Sequence, residues 1–338
     1  MPNSAINSDV AISKPAWIRV RVAEGDAYMH TLSRLRAHKL HTVCEEALCP
    51  NRGHCWSNGR ATILILGDRC TRSCRFCHVD KREVPPPDLE EPARVAAAVQ
   101  ASGLREIVLT SVTRDDLPDG GAALWADTIR RIHAIDRRTG DRAGGTALPQ
   151  KHPQPEALQE PWERHPVARS VEGPTEARIL IEVLVPDFGG NEDALRQVCE
   201  AKPEVFGHNL ETVPRLYAEV RPEANYQRSL DVLRFAADAG LITKTSLMLG
   251  MGETREEIEA VLHDARSAGV RILYAGQYLR PTRAHQPVAS YLTPAEFAEI
   301  GARAQQIGFD FVASAPLVRS SYHEEGQSAF VRKACLFA

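Results

Sequence analysis

From residue 61 onwards the chain alternates short, continuous apolar runs with longer stretches in which apolar residues return every three or four positions. A short run rich in branched residues suits a strand covered on both faces, and the longer period suits a helix with one buried stripe. On this basis strands are predicted over 61–66, 106–110, 179–185, 205–208, 242–249 and 271–278, with helices over 93–101, 122–135, 192–201, 229–238 and 255–268. Local signals agree. Pro92 and Gly103 bracket the first helix, and Trp125, Ile129 and Ile132 share one face of the second. Thr254 with Glu257, and Thr293 with Glu296 around Pro294, form capping boxes. Six strand–helix units in a row imply an α/β fold whose parallel sheet closes, wholly or partly, into a (β/α)6 barrel of the TIM type.

Ahead of this core, residues 17–40 are predicted helical, with Tyr28, Leu32, Leu35 and Leu40 near the helical period, while residues 1–16 have no periodicity and read as a flexible tail. Residues 139–176 interrupt the alternation with 38 residues that hold six of the 22 prolines. That composition predicts a disordered surface loop. It joins a helix to the following strand, so it falls at the N-terminal ends of the strands, opposite the ends where parallel barrels carry their ligands. Its removal is expected to leave activity intact.

Charge and cysteine content narrow the function. The 338 residues carry 41 basic and 44 acidic groups, a net charge of -3, which argues against a general nucleic-acid partner. No apolar run approaches the ~18 residues needed to cross a bilayer, and the first residues resemble neither a secretory signal nor a transit peptide, so a cytoplasmic protein without a membrane partner is expected. In a reducing compartment, eight cysteines point to metal ligation rather than disulfides, and six of them fall between Cys44 and Cys77.

Those six form two triplets. In Cys70-Thr71-Arg72-Ser73-Cys74-Arg75-Phe76-Cys77, three thiols on a short loop can each reach a different corner of one 4Fe-4S cube and leave the fourth iron without a protein ligand. Structural zinc takes four ligands in closed pairs, and ferredoxins space their cysteines differently, so neither fits this loop. The other triplet, Cys44, Cys49 and Cys55, has wider spacing and is turned by Pro50 and Gly53. It suits a second cluster, with zinc held by the same thiols and His54 as the alternative.

The C-x3-C-x2-C loop with an aromatic residue, Phe76, before its last cysteine resembles that of the radical S-adenosylmethionine enzymes. With the second triplet, C-x4-C-x5-C, the resemblance narrows to the lipoyl synthase family. Matching stretches run from about Trp17 to Tyr322, among them Thr110-Ser111-Val112-Thr113-Arg114-Asp115-Asp116-Leu117, His208-Asn209-Leu210-Glu211-Thr212-Val213, Met248-Leu249-Gly250-Met251-Gly252-Glu253 and Arg319-Ser320-Ser321-Tyr322. A small departure is Lys244-Thr245-Ser246, where the family more often has serine and glycine, and no consequence is expected of it.

The resemblance implies a reaction. An adenosyl radical made at the cluster of Cys70, Cys74 and Cys77 takes hydrogen from carbons six and eight of an octanoyl chain. That chain is carried on a lysine of a lipoyl carrier domain, the glycine-cleavage H protein or an acyltransferase subunit of a 2-oxo acid dehydrogenase. Sulfur comes from the 4Fe-4S cluster of Cys44, Cys49 and Cys55, whose fourth, weaker ligand is Ser321. S-adenosylmethionine is expected at the C-terminal strand ends, near Phe76, Thr110, Ser111, Asn209, Glu211, Gly250 and Gly252. Further expected partners are a flavodoxin- or ferredoxin-type electron donor and an iron–sulfur carrier protein. The implied layout is an N-terminal extension (1–56) with the auxiliary cysteines, a barrel core (57–308), and a C-terminal extension (309–338) with Ser321. Cys199, on the face of Leu195, reads as core packing and Cys335 as a free thiol; His54 and His78 read as neighbours of the clusters, not ligands. Rival readings are a methylthiotransferase acting on tRNA and a plain electron carrier with two fully ligated clusters.

Overall fold

The computed structural model describes residues 13–19, 25–102, 104–140, 178–322 and 325–336. The expectations for residues 1–12 and 141–176 therefore lie outside the described residues. One sheet runs in chain order through β1 (His41–Thr42), β2 (Thr62–Ile65), β3 (Glu106–Ser111), β4 (Leu180–Leu184), β5 (Val205–Gly207), β6 (Ile242–Leu249), β7 (Ile272–Gln277) and β8 (Phe311–Ser314). β1 is antiparallel to β2, and every later neighbour pair is parallel.

Three helices, α1 (Asp26–Ala37), α2 (Val43–Glu46) and α3 (Arg52–Ser57), lie ahead of β2. The crossovers carry α4 (Glu91–Ser102), α5 (Ala122–Gly140), α6 (Glu192–Glu200), α7 (Tyr217–Val220), α8 (Tyr226–Asp238), α9 (Arg255–Ser267) and α10 (Pro294–Ile307), and α11 (Glu325–Cys335) follows β8. Both capping boxes form, at Thr254 with Glu257 and at Thr293 with Glu296.

The six predicted strands are β2 to β7, and the partial TIM-like barrel stands. Two expectations need correction. Among the described residues the helix predicted over 17–40 is α1 alone, with Gly25 at φ +98° just before it and Lys39 at φ +51° turning the chain away before Leu40. The C-terminal stretch is also more than an appendage: β8, short and half-exposed, adds a further parallel strand beside β7.

Side chains alternate between the two faces of each strand. Ile107 and Leu109 of β3 point outwards and share an apolar cluster with Trp125 and Ile129 of α5. Leu180, Val205, Ile242, Ile272 and Tyr274 form an interior cluster with Val331 of α11. Each fully buried side chain of this size contributes about 1.5–3 kcal/mol. The interior is also polar: Lys244 Nζ donates to Glu182 Oε1 at 2.7 Å and to Gln327 Oε1 at 2.9 Å. Through Gln327 and through Ser328, which donates to Glu106 Oε2 at 2.8 Å, α11 is fastened across the first residues of the strands.

The departure at 244–246 is not idle. Thr245 Oγ1 donates to the His208 carbonyl at 2.8 Å and accepts from the Leu210 N–H at 3.2 Å, tying β6 to the loop after β5. Cys199 is buried on α6 beside Leu195, and Cys335 is exposed and unpaired as a thiol.

Candidate functional site

After β2 the backbone takes left-handed values at Leu66 (φ +68°) and Gly67 (φ +95°), which turns the chain off the sheet and over the strand ends. The cysteine loop that follows is held from several sides. Thr71 donates through N–H and Oγ1 to the Thr113 carbonyl at 3.1 and 3.0 Å, Arg75 N–H to the Val220 carbonyl at 2.9 Å, and Lys81 Nζ to the Cys74 carbonyl at 3.0 Å. Thr113 N–H in turn points at Cys70 Sγ, 3.3 Å away. Phe76 is half-buried against the apolar cluster of β6, β7 and α9.

Arg72, which the spacing argument passed over, is the internal anchor of this loop. Its guanidinium donates to both oxygens of Asp115 at 2.7 and 2.8 Å and to Asp187 Oδ1 at 2.6 Å. Asp187 also accepts from Arg228 Nε at 2.7 Å, and its carboxylate is only 1% exposed. Burial alone would raise the Asp187 pKa, but the hydrogen bond and charge of Arg72 prevail and hold it well below the usual carboxylate range. A lone arginine inside a loop has no periodic or motif signature, so only the folded chain shows its partners.

Next to this anchor lie further buried polar groups. Arg221 donates to the carbonyls of Asn209 and Leu210 at 3.0 and 3.1 Å, and its Nε–H has no hydrogen-bond partner among the described residues. Asn209 Nδ2 donates to Glu211 Oε1 at 3.0 Å. Burial raises the Glu211 pKa, partly offset by the charge of Arg221. The Cys74 thiol is likewise raised, first by burial, with Arg221 opposing it and Cys70, Glu211 and Glu223 adding to it. Cys70, Cys74, Asn209, Glu211 and Arg221 are thus gathered in one place. Burial pushes His208 down to about 4, helped by Arg221, so its ring is neutral; Nδ1 faces the Val185 carbonyl at 2.9 Å and Nε2 has no hydrogen-bond partner among the described residues.

Four expected S-adenosylmethionine residues also serve the protein's own packing or backbone. Thr110 and Ser111 are neighbours on a strand and so face opposite ways. Thr110 turns inwards and donates to the Leu184 carbonyl at 3.0 Å, whereas Ser111 turns to the helix layer and accepts from Trp125 Nε1 at 3.3 Å. Gly250 is required by the protein's own packing: a Cβ there would stand 2.2 Å from Gln277 Nε2 and 2.4 Å from the Ser290 carbonyl. Gly252, at φ +115°, meets only Ala289 at 3.9 Å, so its need is the backbone turn. The N–H groups of Gly250, Met251 and Gly252 all point at Glu253 Oε2, at 3.0, 2.9 and 3.2 Å.

The other triplet is assembled differently. Cys44 sits in α2, which Thr42 caps by accepting from the Glu45 N–H, and Cys55 sits in α3; Cys49 lies on the turn between them. These three thiols line one cavity with Asn51, Arg319 and Ser321. Burial, and then the neighbouring thiols, push Cys44 up to about 11 and Cys55 up to about 12. In the downstream triplet Cys77 is likewise pushed up to about 12, chiefly by burial. Thiols that are costly to ionise alone, clustered around shared space, are the donor set that a multi-iron cation relieves. The residues present therefore fit two iron–sulfur clusters.

Among the described residues, no set of three or more His, Cys, Asp or Glu groups is drawn close enough to hold a metal ion. The His54 ring stacks on Tyr322 with centroids 6.4 Å apart. His78 stacks on His285 at 5.6 Å, and His285 Nε2 lies 3.2 Å from the Cys77 carbonyl. Among the described residues, no helix is long and apolar enough to cross a membrane.

Comparison with known proteins agrees with this geometry. Residues 64–265 match the model of the Radical SAM superfamily, a span that begins within β2 and includes Cys70, Cys74 and Cys77. The lipoyl synthase of Rubrobacter xylanophilus is 46% identical over 327 residues, covering 96% of this chain and 89% of its own. That of Chlorobium chlorochromatii is 45% identical over 314 residues, covering 92% and 94%. Among solved structures, Streptococcus suis SuiB bound to S-adenosylmethionine superposes with a TM-score of 0.50 at 8% identity, over 84% of this chain and 53% of that one, a likeness of fold alone. With the barrel, both cysteine triplets and near-full-length identity of this degree in agreement, the chain belongs to the lipoyl synthase family of the radical SAM superfamily.

Proposed function

We propose that the chain inserts sulfur at carbons six and eight of an octanoyl group carried on a protein lysine, with each triplet in a separate role. Cys70, Cys74 and Cys77 would hold the cluster that engages S-adenosylmethionine, and Cys44, Cys49, Cys55 and Ser321 would hold the one that serves as sulfur source. When bound, the first cluster and S-adenosylmethionine supply a radical able to take hydrogen from an unactivated carbon, chemistry outside the reach of any side chain here. The chain's own residues supply placement. Arg72 fixes the loop, Thr113 N–H faces Cys70 Sγ, and Asn209, Glu211 and Arg221 offer polar contacts to the amino acid and ribose portions of S-adenosylmethionine.

The observation that carries this reading is the meeting of Ser321 with Cys44, Cys49 and Cys55 around one cavity, although they come from opposite ends of the chain. An alkoxide oxygen is a harder, more weakly held iron ligand than a thiolate, which suits a cluster that must give up sulfide. The same meeting supports the proposed division into 1–56, 57–308 and 309–338, since the two extensions touch where Asn51 donates to the Leu317 carbonyl. The carrier is a lipoyl domain of the H protein or of a 2-oxo acid dehydrogenase acyltransferase. Electrons come from a flavodoxin- or ferredoxin-type donor, the spent cluster is rebuilt by an iron–sulfur carrier protein, and the setting is the cytoplasm.

The test is anaerobic incubation of reconstituted chain with an octanoylated lipoyl-domain peptide, reductant and S-adenosylmethionine, followed by peptide mass. The intact chain should add two sulfurs. Ser321→Ala should still cleave S-adenosylmethionine but give no lipoyl peptide, and a normal product yield from it would remove Ser321 from the site.

A further inference from the structure

We infer that Asn51 is a positioning residue that clamps the C-terminal segment onto the upstream cysteine loop and so delivers Ser321 to the cavity of Cys44, Cys49 and Cys55. The inference rests on the reading of Ser321 as the fourth ligand there. Asn51 lies between Cys49 and Cys55, is 7% exposed, and donates from Nδ2 to the Leu317 carbonyl at 2.6 Å across 266 residues of chain. Its own carbonyl accepts the Cys55 N–H at 2.8 Å, so one residue holds both a cysteine helix and the distant tail.

The far side of that tail is fixed independently. Val318 presses its carbonyl onto β7 where Gly276 leaves room; a Cβ at Gly276 would come within 1.9 Å of that oxygen. Gln277 N–H donates to the Pro316 carbonyl at 3.1 Å, and Val318 and Tyr322 close two turns onto Ala315 and Arg319 at 3.1 and 2.8 Å. The segment is thus seated on the barrel by backbone contacts, but within the described residues its side-chain hydrogen bond to the cysteine loop comes from Asn51. The His54 ring against Tyr322 adds a nonpolar contact beside Ser321. A carbonyl acceptor in a buried place requires a donor, so the amide nitrogen of Asn51 faces Leu317. Aspartate has the same shape and lacks that donor; at this position it sets an oxygen against an oxygen.

Two measurements test the clamp. In the metal-free chain, amide exchange at residues 317–322 should quicken at least tenfold in Asn51→Asp, with β2 to β7 unchanged; unchanged exchange at 317–322 overturns the inference whether or not iron is bound. In a background with Cys70, Cys74 and Cys77 all changed to Ala, the reduced auxiliary cluster is then titrated with cyanide and followed by electron paramagnetic resonance. A cluster with all four irons held by protein should ignore cyanide, whereas Ser321→Ala and Asn51→Asp should both respond, and Asn51→Gln should respond less. A response from Ser321→Ala with none from Asn51→Asp overturns the clamp and leaves the serine reading standing. Silence from Ser321→Ala itself sinks the serine reading and the clamp with it.

Discussion

The two cysteine triplets are built by opposite means. Cys70, Cys74 and Cys77 sit on one continuous loop whose shape is set from beneath by Arg72, with Asp115 and Asp187 as its partners. Cys44 and Cys55 sit on short helices at the edge of the sheet with Cys49 on the turn between them, and the C-terminal segment that carries Arg319, Ser321 and Tyr322 supplies another wall of their cavity. The downstream site is therefore a local object with a buried electrostatic anchor. The upstream one is a junction, and its integrity depends on two distant segments meeting.

The contrast can be broken at its strongest point by Cys74→Ala. Cleavage of S-adenosylmethionine should vanish, while iron and acid-labile sulfide remain at the upstream triplet; loss of iron from both sites would show that they are not independent. Arg72→Gln comes next. It leaves the buried Asp187 carboxylate with Arg228 and the Gly189 N–H as remaining partners, and each lost hydrogen bond between charged groups is worth about 1.5–3 kcal/mol. Urea unfolding of the metal-free chain should show that loss, and reconstitution should show poorer iron uptake at the downstream triplet only.

A pH experiment sharpens the comparison further. Burial holds the folded-state pKa of His208 at about 4 against an ordinary 6.5, so the unfolded chain binds the extra proton first as pH falls. The contribution is fully present above pH 6.5 and is lost as pH drops towards 4, for a total of about 3 kcal/mol. Urea midpoints measured across that window should fall for the native chain and flatten for His208→Gln. The smallest effect belongs to Ser111→Ala. Its hydroxyl serves only Trp125, so stability should drop by about 1 kcal/mol or less and S-adenosylmethionine affinity, read by equilibrium dialysis, should not move.

The parts of this molecule that can be read in one dimension are those governed by local spacing. The alternation of apolar runs and amphipathic stretches gives β2 to β7 with small errors at the ends, and the close spacing of Cys70, Cys74 and Cys77 gives one loop. β8 escaped notice because its few half-exposed residues lack the apolar continuity of a central strand. A motif names Thr110 and Ser111 together, whereas the two-residue period of β3 sets them on opposite faces. The packing of Gln277 and Ser290 against Gly250 is not legible along the chain, because those partners lie on other segments. Arg72, Arg221 and Asn51 depend on partners scattered through the chain, and no window along the sequence contains both halves of those contacts.

The 266 residues that separate Asn51 from Leu317 also set a clock. At ribosomal speeds of about 5–20 residues per second, the earlier half of that junction waits for tens of seconds before the later half exists. Through that interval three thiols near the start of the newborn polypeptide have no serine to complete their surroundings, while the loop at residues 70–77 can already acquire its nearest supports. Iron offered during translation should accordingly enter the downstream triplet first.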